Sequence, residues 1–286
     1  MNLQEEKEGW TEVISPKTRL FDLQLDQVWK YRDLLWLFVR RDFIAQYKQT
    51  VLGPLWHVIQ PVFTTIMFLL VFGKIANIPT DGIQPILFYM SGITLWNYFS
   101  TCLISTSNTF ILNAGIFGKV YFPRLVLPLS IILSNIVKLG IQFGLLLLVI
   151  FWFDFHHYTT AFTVNWFFIP VLLLIIAGIS LGLGIIISSL TTKYRDLSIL
   201  LTFAIQLAMY ATPIAYPLSF LQGKKYRYLI EWNPLTPVVE AFRFCLFGKG
   251  TFNLYTIVYS VGFMFVVLIS GVLIFNKVEK SFMDTV

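Results

Sequence analysis

Charged residues are scarce in this sequence, and their scarcity excludes an ordinary soluble domain. Only 13% of the 286 residues are Asp, Glu, Lys or Arg, whereas 57% are hydrophobic and the mean hydropathy is +0.73. Soluble domains carry about 25% charged residues, so we expect an all-α protein that crosses a membrane several times. The net charge of +6 is interpreted as a determinant of membrane topology and not as a sign of nucleic-acid binding.

Cysteine and histidine are also rare, which limits disulfide and metal chemistry. The two cysteines, Cys102 and Cys245, lie in apolar segments, and this argues against a structural disulfide. Asp154, His156 and His157 form a small cluster of metal-ligand residue types. Because a fourth ligand is lacking, a solvated loop is the favoured interpretation and no metal site is expected.

Six long apolar runs dominate the chain, and each is a candidate transmembrane helix. A helix needs about 20 residues to cross a hydrocarbon core of about 30 Å. The runs are Leu55 to Phe72, Ile86 to Ser107, Leu125 to Phe153, Trp166 to Leu190, Leu197 to Tyr216, and Tyr255 to Phe275. Residues 1–30 are polar and lack the apolar core of a signal peptide, so we expect a cytoplasmic tail there and a transmembrane domain over residues 31–286.

Lysine and arginine concentrate in alternate connecting segments, and this pattern predicts the orientation of the chain. Residues 1–57, 108–124 and 191–196 and the carboxyl-terminal tail carry most of them and are assigned to the inside. The outer loop from Asp154 to Asn165 carries neither residue type. The segment from Pro217 to Leu254 breaks the rule with five basic residues. An even number of spans with both termini in the cytoplasm remains the prediction.

The stretch from Arg40 to Pro61 begins as a basic helix and breaks at Gly53 and Pro54, just before the first apolar run. On a helix, one broad side carries Phe43, Tyr47, Val51 and Leu52, and another carries Arg41, Lys48 and Gln49. This pattern predicts an amphipathic helix that lies in the membrane interface, with basic side chains at anionic headgroups. The alternative is a basic flank that merely orients the chain.

Prolines interrupt the chain between the fifth and sixth runs. The apolar pieces that remain, Leu218 to Leu221 and Val238 to Phe247, are too short to cross a membrane. Irregular backbone at membrane depth persists only where protein or water satisfies its polar groups. The pattern favours short re-entrant helices that form an outer gate, with an extracellular loop and an interfacial helix as the alternative. The gate residues are predicted to be Pro213, Tyr216, Pro217, Asn233, Pro234, Pro237, and a mutually neutralising pair, Glu240 and Arg243.

Polar and aromatic residues inside the apolar runs are candidates for a substrate path. Lys138 lies in the middle of the third run, where a charge costs about 3 kcal/mol and usually faces protein or water. A contact with a lipid diphosphate and a contact between spans both explain it. Tyr89, Trp96 and Ser100 share one helical face and suit a sugar chain, unless the aromatic residues belong to the interfacial belt. Tyr210, in the fifth run, is also assigned to this path.

Three segments carry a resemblance to a known family. They are Tyr47 to Trp56 (YKQTVLGPLW), Lys193 to Leu197 (KYRDL), and Thr212 to Tyr216 (TPIAY) followed by Asn233-Pro234 and Pro237. In order and spacing, the chain from about Tyr31 to its end resembles the membrane-spanning subunit of a bacterial ABC-2 type exporter. Exporters of this kind move lipid-linked polysaccharides such as O-antigen or teichoic acid. The resemblance implies a location in the bacterial inner membrane.

The resemblance also implies partners. Such a subunit pairs with itself and with two ABC ATPase subunits, so the expected partners are a second copy, those ATPases, a lipid-linked polysaccharide and membrane lipids. The sequence has no G-x-x-x-x-G-K-[ST] phosphate loop. ATP and Mg are therefore expected on the ATPase, and no cofactor is expected on this chain.

In this family, the inner connection between the second and third spans holds the coupling helix, which sits in a groove of the ATPase. Here that connection runs from Asn108 to Pro123, and without the resemblance a loop packed against the spans is the preferred interpretation. A latch in which Asp196 caps the next helix is an alternative role for that residue. The residues expected to couple to the ATPase are Arg40, Arg41, Lys48, Phe110, Ile111, Ile116, Phe117, Lys119, Arg195 and Asp196.

Transport is the leading functional hypothesis, and two alternatives stay open. One is an ABC-2 exporter of drugs or small lipids, and the other is a membrane-embedded transferase that acts on lipid-linked sugars. A transferase needs a nucleophile or an acid–base group with perturbed partners at the membrane face. The sequence offers no such constellation beyond Asp154 to His157. We therefore expect a transport subunit and not an enzyme.

Overall fold

The apolar runs form a bundle of helices in the computed structural model. The structure describes residues 25–48, 50–117, 122–155, 164–194 and 196–282. Within these ranges all regular secondary structure is α-, 3-10 or π-helix, and no β-strand is present. The all-α prediction is therefore confirmed. The α-helices are α1 (Leu25–Lys30), α2 (Arg32–Tyr47), α3 (Trp56–Phe68), α4 (Pro85–Ser107), α5 (Thr109–Phe117), α6 (Val126–Phe155), α7 (Ile169–Thr191), α8 (Leu197–Tyr210), α9 (Arg227–Glu231), α10 (Thr236–Phe247) and α11 (Leu254–Phe282).

Four helical segments in the described part of the chain are long and apolar enough to cross a membrane. They are Gly53–Ile75, Val126–Phe155, Asn165–Thr191 and Leu254–Lys277, and they correspond to the first, third, fourth and sixth predicted spans. The first combines a 3-10 turn at Gly53–Leu55, α3, and a π-helical stretch at Leu69–Ile75. These spans agree with the sequence prediction.

The second and fifth predicted spans have a different character. Helix α4 has 23 residues, a sufficient length, but it carries several polar residues. Helix α8 has 14 residues and ends at Tyr210, six residues before the predicted end of the fifth run. At about 1.5 Å per residue it is about 21 Å long, which is less than the thickness of a hydrocarbon core. The six-span topology therefore stays a prediction.

Helix α4 lies at the centre of the bundle. Sixteen of its 23 residues are buried, and it packs against α3, α6, α7 and α8. Helix α7 in turn packs between α4 and α11. The polar residues of α4 are therefore shielded by protein, which explains how a helix of moderate hydropathy fits the core of the bundle.

Helices α7 and α11 meet at glycines. A Cβ atom on Gly182 would lie 2.8 Å from the backbone nitrogen of Leu268. A Cβ atom on Gly271 would lie 2.9 Å from the carbonyl oxygen of Gly182. Small residues allow helix backbones to approach closely, and close packing is what holds helices together in lipid. This crossing therefore fixes α11 against the bundle.

Helix α2 packs on α6 and leaves an apolar side uncovered. Phe38 and Val39 are both 5% exposed, whereas Trp36 is 67% exposed. The prediction that the helix continues through Val51 and Leu52 is wrong, because α2 ends at Tyr47 and Val51 is 100% exposed. The chain turns at Gly53, whose φ of 50° lies in the left-handed region that glycine adopts readily. The placement of α2 in the membrane interface stays a prediction.

Candidate substrate path, gate and coupling surface

Arg243, in the buried helix α10, holds the turn that follows α8. Its Nη1 donates to the carbonyl oxygen of Pro213 at 2.6 Å, and its Nη2 donates to that of Ile214 at 3.0 Å. The guanidinium carbon lies 3.6 Å from the centroid of the Phe88 ring in α4. Arg243 therefore joins three parts of the chain that are distant in sequence.

Glu240 lies one turn before Arg243 and forms the expected ion pair with it. Nη1 of Arg243 is 3.5 Å from Oε1 of Glu240, and the two side chains are 1% and 3% exposed. The same oxygen accepts a hydrogen bond from the backbone N–H of Leu218 at 3.3 Å. Because both groups of the pair also make hydrogen bonds to backbone groups, the two buried charges compensate each other.

Asn233 holds the same turn from its other side. Its Nδ2 donates to the carbonyl oxygen of Ala211 at 3.0 Å and to Oγ1 of Thr212 at 2.9 Å. Ser260 of α11 donates to the carbonyl oxygen of Pro234 at 2.7 Å. The hydroxyl of Tyr216 donates to the carbonyl oxygen of Tyr210, the last residue of α8, at 2.8 Å. The structure thus brings the predicted gate residues together through these hydrogen bonds. Those in the turns are Pro213, Tyr216, Pro217, Asn233 and Pro234, and those in α10 are Pro237, Glu240 and Arg243.

Helix α10 is short and almost completely buried. It has 12 residues, of which 11 are buried, and it packs against α4, α7 and α11. Its length of about 18 Å is insufficient to cross a membrane. A buried helix of this length fits the re-entrant prediction. Its role as an outer gate stays a prediction.

A polar stripe, of which only Tyr210 was predicted from the sequence, runs along α8. Ser198, Thr202, Gln206 and Tyr210 follow one another at spacings of four and therefore share one face. Thr202 and Gln206 are exposed, and Tyr210 is 58% exposed. The first three residues border an open groove of about 480 Å³ together with Asn108. The constant spacing of polar residues in an apolar helix was the available signal. We call these four residues the α8 stripe.

Tyr89 and Trp96 lie inside the bundle and not at a groove. Tyr89 is 0% exposed and Trp96 is 7% exposed. Their rings pack on neighbouring aromatic rings, 5.5 Å from Phe88 and 5.4 Å from Phe99 respectively. Ser100, from the same predicted face, does border a polar cavity. Because Tyr89 and Trp96 are buried within the chain, the structure does not support a direct contact of either ring with a substrate.

Lys138 borders two adjacent cavities. The first has a volume of about 400 Å³ and lies between α2, α5 and α6. The second has a volume of about 250 Å³ and lies between α3, α4 and α6. Gln46, Asn135 and Lys138 line both of them. The structure thus places Lys138 beside polar cavities rather than against lipid alone.

Helix α5 occupies the position of the predicted coupling helix. Phe110 is 0% exposed and stacks on Phe275 of α11 at 4.7 Å, so it anchors α5 to its own chain. Ile111 and Leu112 are 40% and 75% exposed and form the apolar surface of the helix. Leu112 was not predicted. The side chain of Phe117 and the whole of Lys119 and Arg195 lie outside the described residues.

Arg41 connects α2 to α5. Its Nη2 lies 2.7 Å from Oδ1 of Asp42 and donates to Oδ1 of Asn113 in α5 at 3.5 Å. Ile116 lines the larger cavity beside it. The other predicted coupling residues that the structure describes, Arg40, Lys48 and Asp196, are exposed.

Two further predictions concern Asp196 and the outer loop. Asp196 is the N-cap residue of α8, but its side chain makes no capping hydrogen bond, so the predicted cap is wrong. Asp154 lies in the last turn of α6, and His156 and His157 lie outside the described residues. No group of three metal-ligand residues occurs in the part of the chain that the structure describes.

Long apolar helices around a buried polar interior define a multi-pass membrane protein. A family model described as ABC-2 type transporter matches residues 33–247. The chain belongs to this family and is a membrane transport subunit, as the resemblance indicated.

Three curated relatives show the same relationship over most of the chain. An O-antigen export system permease protein RfbA from Klebsiella pneumoniae is 30% identical over 255 residues, which cover 88% of this chain and 94% of the relative. A second protein of the same name and organism is 31% identical over 255 residues, with the same coverage. A protein of that name from Myxococcus xanthus is 27% identical over 220 residues, which cover 76% of this chain and 81% of the relative.

Proposed function

We propose that this chain is the membrane-spanning subunit of an ATP-driven exporter that moves lipid-linked polysaccharide across the bacterial inner membrane. The observation that carries the proposal is the similarity to O-antigen export permeases over 88% of the chain. The substrate class is an O-antigen-like or teichoic-acid-like polymer. Both termini lie in the cytoplasm, and residues 31–286 form the six-span transmembrane domain.

Two copies of the chain enclose the passage, and the α8 stripe lines it. A row of hydroxyl and amide groups is unfavourable against lipid, because those groups lose their hydrogen-bond partners there. A hydroxyl-rich polymer supplies such partners, and the ring of Tyr210 offers an apolar surface to a sugar face. Several weak contacts along one helix allow the polymer to slide.

Helix α5 receives the motion of the ATPase. Two copies of an ABC ATPase bind ATP and Mg and dock on the cytoplasmic side, where Ile111 and Leu112 provide the apolar contact. The bond from Arg41 to Asn113 carries a displacement of α5 to α2. Asn108, directly before α5, borders the same groove as Ser198, so the displacement also reaches the start of α8 at Asp196 and the α8 stripe.

The outer end of the passage is closed by α10 and the turns that it holds. The contacts of Arg243 and Asn233 join the turn after α8 to α10. A movement of α8 is therefore transmitted to the outer gate, and the polymer leaves when the turn is displaced.

The test is ATP hydrolysis in proteoliposomes that contain the full chain and its cognate ABC ATPase. We expect a lipid-linked oligosaccharide to raise the rate of hydrolysis, and we expect no increase with an ATPase variant that cannot bind nucleotide. Stimulation by small amphiphiles, with no response to any glycolipid, would contradict the proposal and favour an exporter of drugs or small lipids.

A further inference from the structure

Lys138 is a charged residue in the middle of a membrane helix. It lies in the 30-residue helix α6 and borders the two cavities described above. Within the described ranges, no hydrogen bond or ion pair joins its ammonium group to another residue. Because an uncompensated charge at such depth is costly, a partner from outside the chain is favoured.

The carboxylate that borders the first cavity is already neutralised. Asp42 accepts a hydrogen bond from Nε of Arg41 at 2.9 Å, and Nη2 of Arg41 lies 2.7 Å from the same oxygen. The described lining of the second cavity contains neither Asp nor Glu. Arg41, Asp42 and Lys138 together give the described lining of the two cavities one excess positive charge, which favours an anion.

Amides and hydroxyls make up most of the second cavity's lining, together with His57 and Leu139. The residues that carry these groups are Gln46, Gln60, Asn97, Tyr98, Ser100, Thr101, Asn135 and Gln142. Asn135 is 3% exposed and lines both cavities, yet its Oδ1 has no hydrogen-bond partner. Amide N–H and hydroxyl groups donate to phosphate oxygens, and amide and hydroxyl oxygens accept from sugar hydroxyls. The combination fits a phosphate ester of a sugar better than either a simple lipid or a free sugar.

We infer that the cavity pair around Lys138 binds the phosphate group that joins a lipid carrier to the first sugar of the substrate. The inference rests on the proposed function, because it assigns a binding site to that same substrate. Lys138 is the counter-ion of the phosphate, and Asn135 positions the adjoining sugar. The second cavity, at about 250 Å³, takes a headgroup and not a polymer chain.

The test is binding of three probes to the full chain with its ATPase in nanodiscs. The probes are a polyprenyl diphosphate, the corresponding uncharged polyprenol, and inorganic pyrophosphate. We expect Lys138→Gln to weaken binding of the polyprenyl diphosphate about tenfold or more, and Lys138→Arg to retain most of the affinity. The matched control is Lys74→Gln, which removes an exposed lysine near the carboxyl-terminal end of the first span, Gly53–Ile75. This variant should bind the diphosphate as the wild type does.

Folding is monitored by thermal unfolding, because removal of an unpaired charge should leave the Tm unchanged or raised. Should Lys138→Gln fail to fold, Asn135→Asp provides the second variant, since a carboxylate beside Lys138 neutralises it and should also weaken binding of the diphosphate. Equal affinity of the wild type for polyprenol and polyprenyl diphosphate overturns the inference. Competition by pyrophosphate at the same concentration as the lipid overturns the assignment to a lipid and leaves a site for a free anion.

A cellular export assay separates this site from the proposed function. Polysaccharide export by the wild type, with unchanged export and unchanged diphosphate affinity in Lys138→Gln, overturns the site and leaves the function. Selective binding of polyprenyl diphosphate through Lys138, with no polysaccharide exported by the wild type, overturns the function and leaves a site for a lipid phosphate.

Discussion

The guanidinium carbon of Arg243 lies 3.6 Å from the centroid of the Phe88 ring. This contact joins the short helix α10 to the central helix α4, and two hydrogen bonds of the guanidinium reach the turn after α8. A Cβ atom on Gly92 would lie 2.9 Å from Nη2, so the glycine leaves the space that the arginine occupies. A buried cation is stabilised here by carbonyl oxygens, a carboxylate and a ring face together.

Arg243→Met should destabilise the fold, because it leaves Glu240 buried at 3% exposure without its cation. The expected cost is about 3–5 kcal/mol. The double variant Arg243→Met with Glu240→Gln should recover part of it, since Gln retains an oxygen for the N–H of Leu218. Thermal unfolding of the three proteins in one detergent measures the effect. If the double variant is no more stable than the single variant, the unpaired Glu240 does not account for the loss of stability.

Gly182→Ala should destabilise the contact of α7 with α11. The added Cβ atom would lie 2.8 Å from backbone atoms that belong to α11 and cannot rotate away. Overpacking of this kind costs about 1–3 kcal/mol. Gly140→Ala is the control, because a Cβ atom there meets nothing within 4 Å. Since alanine favours helix over glycine, this control should be neutral or slightly stabilising. Equal Tm values for the two variants would contradict the close contact.

Local spacing and hydropathy predicted part of this molecule well. They identified four membrane segments, and the i,i+3 spacing of Glu240 and Arg243 predicted their pair. They did not predict which face of α4 meets its neighbours, so Tyr89 was expected at a surface and is buried. That choice depends on packing between helices distant in sequence, which a single helical pattern does not encode. The end of α2 was missed because the backbone leaves the helical region already at Lys48, whose ψ is 126°, and the spacing of apolar residues does not show that change.

Leu112→Asp should weaken the association with the ABC ATPase. The side chain is 75% exposed on α5, and a carboxylate there opposes an apolar contact with the partner. We expect the ATPase to be lost from the complex during affinity purification, while the Tm of the chain itself is unchanged. Leu229→Asp is the control, because Leu229 is 76% exposed on α9, at the predicted outer side. Retention of the ATPase by the Leu112 variant would place the interface elsewhere.

Gln206→Leu should slow polysaccharide export without affecting assembly. Gln206 is an exposed member of the α8 stripe and borders the groove with Thr202. One hydrogen bond to the moving polymer contributes about 1 kcal/mol, so export should fall roughly fivefold. Gln206→Asn keeps the amide, so its export rate should lie between those of the wild type and Gln206→Leu. Gln222→Leu makes the same change at an exposed position after the 3-10 turn Leu218–Leu221 and should export normally. If the stripe instead faces lipid, Gln206→Leu should raise the Tm and leave export intact, because leucine is the better residue against hydrocarbon.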